Sequence, residues 1–267
     1  MKARPEHGVL VISVDVAGDS SPRQKAEAIG MCDARAVLDA AKWLLRTFDA
    51  LGLPATWYLA GPGTSVLRSH VIAASVRHEI GLLAIDGGSQ NHGRPVFARD
   101  LERRILASRA AGVEITSLAT RLSGRVEHLD LLVKHGIRAV RHGVSVKGRD
   151  AGERFGWGAV STLRYGISSL PATMIAVERP RWQLWIKAWE DRRQIATAAQ
   201  RRQYCHLAID VHLLAQPGSR KHLYGTLRSA ARLFDGSHNR IETVSSLTES
   251  LMARPSAPRA QSILRAA

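Results

Sequence analysis

The sequence predicts an α/β fold whose strands curl into a closed or nearly closed barrel. Short apolar, β-branched runs alternate repeatedly with segments whose apolar residues recur at helical spacing. The first run, GVLVISVDV from Gly8 to Val16, is continuous rather than alternating, as expected of a parallel strand covered on both faces. No long linker, internal repeat or low-complexity block interrupts the series. At 267 residues, with 45% hydrophobic and 23% charged residues, the chain can bury a sizeable core. These features predict one barrel domain over residues 1–250. The alanine-, proline- and arginine-rich stretch over 251–267 is expected to be a flexible basic tail.

The elements follow in order. After the Gly8–Val16 strand, Asp33 is placed to cap a helix carrying Val37, Leu38, Ala41, Leu44, Leu45 and Phe48 on one face. Leu51-Gly52-Leu53-Pro54 stops that helix, and Ala55–Ala60 reads as the second strand. The alternation continues with a helix over Thr64–Arg77, a strand over Glu79–Ile85, a helix over Val96–Ala111 and a strand over Val113–Leu118. A helix over Val126–His135 and a short strand over Arg138–His142 follow. The glycine-containing stretch Arg154–Met174 predicts loops and a short strand. Beyond it come a basic helix over Trp182–Arg202, a strand over His206–Leu214 and a helix over Lys221–Phe234. A last strand, Arg240–Val244, leads into a helix opened by Ser246 and Glu249, which have capping-box spacing.

Lys and Arg number 38 against 23 Asp and Glu, so the formal charge is 38 − 23 = +15. A surplus of this size raises the question of a polyanionic partner. No helix-turn-helix, ribonucleoprotein motif or zinc finger accompanies it. Cys32 and Cys205 have neither disulfide-framework nor metal-ligand spacing and read as reduced thiols. The apolar run after MKARPEH is short, β-branched and ends at Asp15 without a small-residue cleavage site, which points to a strand instead of a signal peptide. With no stretch approaching the roughly 18 apolar residues of a membrane span, the expectation is a soluble, cytoplasmic protein without a membrane partner. The chain lacks the G-x-S-x-G elbow of serine hydrolases and both glycine-rich nucleotide loops, so neither chemistry has a motif here.

In barrels of this class the loops after the strands carry the chemistry. Polar residues at those ends are Asp15, then Asp86 and His92, then Arg121, His142 and finally His212. The order of segments resembles the polysaccharide deacetylases, the NodB-type carbohydrate esterases. SVDVAGD from Ser13 lies where that family has T-F-D-D-G, and LGLPATWYLAG from Leu51 is similar to its L-G-I-P-A-T-F-F-L-x-G. SVRHEIGLLAID from Ser75 looks like its G-H-E-I-G-N-H-T-x-S-H, while TRLSG from Thr120 and LAIDVHLL from Leu207 fall at its arginine and late histidine motifs.

The resemblance implies a deformed (β/α) barrel and, in active members, a divalent metal held by one Asp and two His, with an Asp base and a His acid. Asp15 takes the base position, Arg121 the arginine position and His212 the acid position. Asp86, His92 and His142 would line the substrate cleft. The metal positions fall on Val16, Leu83 and Gly87, none of which has a ligand atom. A divergent protein without metal-dependent deacetylation is therefore expected, binding a carbohydrate or small amide or ester with no cofactor. A rebuilt metal site from Asp15, Asp19, Asp86, His92, His142 and His212 is the alternative.

Trp182, Trp185 and Trp189 fall on one helical face among Arg179, Arg181, Lys187, Arg192, Arg193, Arg201 and Arg202. Such a face either packs on the barrel or meets a polyanion, a partner or a second copy of the chain.

Overall fold

The computed structural model describes residues 7–16, 34–60, 64–84, 93–120, 126–142, 160–176, 184–216, 218–236 and 238–253. Its strands are β1 (Gly8–Val16), β2 (Thr56–Leu59), β3 (Glu79–Leu83), β4 (Ser117–Ala119), β5 (Ala139–Arg141), β6 (Ser161–Thr162), β7 (Ser168–Ser169), β8 (Met174–Ala176), β9 (Tyr204–Asp210) and β10 (Asn239–Glu242). Its helices are α1 (Ala34–Leu51), α2 (Ser65–Ile72), α3 (Arg94–Ala110), α4 (Leu129–Lys134), α5 (Leu184–Gln200), α6 (Val211–Leu214), α7 (Ser219–Leu233) and α8 (Val244–Ala253).

The sheet runs β6-β7-β5-β4-β3-β2-β1-β9-β8, and all its pairings are parallel except β6 with β7. The continuous apolar run of β1 sits at its centre, buried along its whole length. One edge of β1 pairs with β9 from Val9 to Asp15. On the other, β10 takes Gly8–Val11 and β2 takes Ser13–Val16.

The ring closes through one stretch, Ser168 to Ala176. Its first part follows β5: the N–H groups of Ser168, Leu170 and Ala172 donate to the carbonyls of Arg138, Val140 and His142. Its second part crosses to β9, where Thr173 N–H donates to His206 O and β8 pairs with Leu207–Ile209. The expected nearly closed barrel is thus present, with a strand position shared by β7 and β8.

Strand alternation divides the side chains into two layers. Leu10, Ile12, Val14, Val16, Trp57, Leu82, Val140, Leu207 and Ile209 join the outer core under the helices. Val9, Val11, Tyr58, Leu83, Ala119, Ala139, Leu170 and Tyr204 form the inner one, with Val244 and Leu247 of α8 packed into the same cluster.

Several boundaries differ from expectation: the helix after β2 ends at Ile72 instead of Arg77, β4 starts at Ser117 instead of Val113, and α4 spans only Leu129–Lys134. The late strand ends at Asp210 instead of Leu214, because the Asp210 carboxylate accepts the backbone N–H of His212 at 2.9 Å and caps α6. The last helix begins two residues before Ser246, and Thr243 Oγ1 accepts the Ser246 N–H at 3.3 Å, so Thr243 is the cap. The basic helix spans Leu184–Gln200. Residues from 254 onward, Asp33 and Cys32 lie outside the described residues. No helix among the described residues is long and apolar enough to cross a membrane.

Candidate functional site

The parallel strands present their C-terminal ends to one mouth, and β1 brings Asp15 to it on the inner face. Asp15 stands beside Asp210 of β9 in register. Across the barrel β5 ends in Arg141, two residues after Ala139, which also faces inward. Arg141 Nη2 donates to Asp15 Oδ2 at 2.7 Å, and Nη1 donates to Ser13 Oγ at 3.1 Å. The guanidinium lies 5.1 Å from the centroid of the Tyr58 ring on β2, a cation–π geometry inside the barrel.

Below Asp15 the polar layer continues. His206 Nε2 lies 2.9 Å from Ser13 Oγ, and its Nδ1 lies 2.9 Å from the Tyr204 hydroxyl, which donates to Pro171 O at 3.0 Å. Ser13 and His206 are fully buried. Burial opposes the Arg141 charge, but the Asp15 carboxylate more than offsets this and holds the guanidinium charged. Burial, then repulsion by Arg141, drives the His206 pKa well below the usual 6.5, so the ring is neutral. Tyr58 and Tyr204 are pushed up by burial. The Cys205 thiol, also buried, is pushed up to about 12 and is correspondingly inert.

The mouth ends of β2 and β3 are tied together by Arg104 of α3, which donates to Leu59 O at 3.0 Å and Leu83 O at 2.7 Å.

Of the residues expected at the mouth, Asp15 sits on the barrel floor. His142 follows β5, half-buried, and its carbonyl accepts Ala172 N–H. His212 is half-buried on the short helix α6, beyond the end of its strand. Asp19, Asp86, His92 and Arg121 lie outside the described residues. Arg141, Ser13, Tyr58, Tyr204, His206 and Asp210 were not among the expected site residues. Their signal was alternation: each lies on the inward half of a strand whose outward positions are apolar.

No family model and no curated protein matches the chain. Solved structures do. A Mycobacterium smegmatis protein assigned as a polysaccharide deacetylase superposes with a TM-score of 0.70 at 15% identity, over 97% of this chain and 95% of the other. A Pseudomonas aeruginosa protein with the same assignment gives 0.65 at 11%, over 93% and 92%. This chain has the polysaccharide deacetylase fold.

The deacetylase fold also covers a CE4-family pseudoenzyme from Bacillus anthracis, matched at a TM-score of 0.50 and 12% identity over 91% of this chain and 66% of that one. The metal that active deacetylases imply can be tested against the residues here. Val16 is 4% exposed within the outer core and Leu83 is 1% exposed within the inner one. Both are packed aliphatic side chains without a lone pair to donate, so these positions do not fit a metal. Among the described residues no group of three or more His, Cys, Asp or Glu is arranged to hold one.

Proposed function

We propose that this chain is a polysaccharide deacetylase-like protein that binds a carbohydrate or a small amide or ester at the barrel mouth without metal-dependent deacetylation. The observation that carries this reading is the Asp15–Arg141 pair on a floor where Val16 and Leu83 are buried aliphatics. In a metal enzyme of this kind the dication balances acidic side chains and supplies a hydroxide. Here a guanidinium takes the balancing role, so the floor pair has no net charge and suits a neutral, hydrogen-bonding ligand. That a neighbour of the same fold is described as a pseudoenzyme supports the reading.

The test combines metal analysis with binding. Protein purified without a histidine tag is expected to carry far less than one zinc, nickel, cobalt or manganese per chain and to release no acetate from chitooligosaccharide or acetylated xylan, with or without added metal. Binding of such sugars, followed by NMR shifts, should be lost in Asp15→Ala and His212→Ala proteins that keep their circular dichroism. Stoichiometric metal with acetate release would overturn the proposal.

A second reading has its own observation. Trp189 on α5 is 54% exposed, with the Arg193 guanidinium 5.4 Å from its ring centroid. Arg192, Arg201 and Arg202 are exposed nearby in sequence. Trp182 and the side chain of Trp185 lie outside the described residues. An exposed indole flanked by arginines supports a polyanion-binding role for this helix. Alginate binding that weakens at least about fivefold in Trp189→Ala at fixed salt would support it; equal binding would count against it.

A further inference from the structure

We infer that Ser13, His206 and Tyr204 are positioning residues, forming a one-way chain of hydrogen bonds that fixes Arg141 and, through it, Asp15. The two ends dictate the direction. At one end a guanidinium can only donate, so Arg141 Nη1–H points at Ser13 Oγ, 3.1 Å away. At the other a carbonyl can only accept, so the single Tyr204 hydroxyl proton goes to Pro171 O, 3.0 Å away.

The middle then has one consistent solution. With its proton committed, the Tyr204 oxygen accepts from His206 Nδ1–H at 2.9 Å. That leaves Nε2 of a neutral ring as an acceptor for the Ser13 hydroxyl, also at 2.9 Å. From Ser13 to Tyr204 each hydroxyl and ring proton is donated once and accepted once, in an interior where an unmatched group is costly; among the described residues Arg141 Nε has no hydrogen-bond partner. The surroundings favour the same state. His206 faces Arg141 of β5, Ser13 of β1 and the backbone of Leu170; burial first, then the Arg141 charge, disfavour a protonated ring and outweigh the Leu170 backbone, which favours it. The guanidinium is thus anchored twice, at Asp15 and at Ser13, over the ring of Tyr58.

Ser13 and His206 also have the spacing of a serine nucleophile and its base. The surroundings argue against that role. An imidazolium formed there would meet a neutral phenol instead of a carboxylate at Nδ1 and a guanidinium beyond Nε2, and neither side chain is exposed.

That positioning matters for ligand binding rests on the reading of Asp15 and Arg141 as the floor of a cleft; the direction of the chain does not, so the two can fail separately. The experiment is long-range ¹H–¹⁵N correlation spectroscopy on the full-length protein between pH 5.5 and 8. His206 should remain the neutral Nδ1–H tautomer throughout. An Nε2–H tautomer, or titration in that range, would overturn the inference.

In Tyr204→Phe the Nδ1–H loses its acceptor and the tautomer should shift toward Nε2–H; an unchanged tautomer would also overturn it. In Ser13→Ala the His206 tautomer should persist, while exchange of the Arg141 guanidinium protons, seen by ¹⁵N detection, becomes about tenfold faster through loss of one hydrogen bond. Unchanged exchange counts against positioning. Labelling of Ser13 by a fluorophosphonate would replace the positioning role with a nucleophilic one.

Discussion

Arg141 reaches across the barrel from the end of β5 to Asp15 on β1, with its side chain 1% exposed and that of Asp15 10% exposed. Two opposite charges enclosed this way are interdependent, because either alone is a desolvated charge without a partner. Arg141→Met is expected to lower stability by about 3–5 kcal/mol. Asp15→Asn, which leaves the cation enclosed, should be destabilising as well. The double variant should lose less than the sum of the single losses, by about 1–3 kcal/mol of coupling. Urea unfolding of the four proteins closes the cycle; strict additivity would show that the pair contributes nothing as a pair.

Gly81 on β3 is a second point of close fit. A β-carbon there would sit 2.5 Å from Tyr58 Cε1 and 2.7 Å from Ser117 Oγ, inside any tolerable contact. Gly81→Ala should therefore displace the ring that lies against Arg141 and cost about 1–3 kcal/mol. Adding Tyr58→Leu should recover part of the loss in urea midpoint, since it removes the clashing ring edge. If Gly81→Ala proves neutral, the inner layer is looser than the packing indicates.

How much of this was legible in the sequence depended on the layer. The Gly8–Val16 strand was readable to the residue because nine consecutive buried positions leave an unbroken apolar run. The Ser168–Ala176 closure was not, since its two strands are short and joined by Leu-Pro-Ala-Thr, which has no strand periodicity. Val211-His212-Leu213-Leu214 looks like strand by composition, and only the cap formed by the Asp210 side chain turns it into helix. For the site, attention to residues after strand ends found Asp15 but passed over Arg141, Tyr204 and His206. Tyr204 and His206 lie in the first half of β9 and Arg141 closes the three-residue β5; the inward half of the alternation identifies all three.

At the opposite end of the barrel, Glu79 ties three elements together. Its Oε2 accepts Thr56 Oγ1–H and the Ser245 backbone N–H, both at 2.8 Å, and Oε1 accepts Ser117 Oγ–H at 2.6 Å. Thr56 in turn accepts the Val244 N–H at 3.0 Å. A carboxylate at the first turn of α8 also complements the positive end of that helix. Glu79→Gln puts an amide donor where only acceptors are wanted, so a loss of about 1.5–3 kcal/mol is expected. Hydrogen exchange should quicken first at Val244 and Ser245. Uniform quickening across the sheet, or none, would show that Glu79 does not hold the start of α8.

Stability should decline on mild acidification because of two histidines. Burial, only partly opposed by Asp49, lowers the His78 pKa from 6.5; its Nδ1 accepts the Ala55 N–H at 3.2 Å. Burial and Arg141 lower that of His206 further. Above the ordinary histidine pKa both rings are neutral whether folded or unfolded, and they contribute no slope. Below about 6.5 the unfolded chain takes up protons that the folded one refuses, so stability falls as pH drops, by up to about 1.4 kcal/mol per pH unit for each ring. Asp49 acts lower on the scale. The Val76 N–H holds its carboxylate below the usual 3.8, so its contribution is complete above that value and lost as pH falls through the folded pKa. Urea unfolding between pH 5 and 8 should show the histidine slope, and His78→Gln and His206→Gln should each flatten it whatever they do to stability at pH 8. A slope retained in both variants would mean that neither ring is kept neutral by the fold.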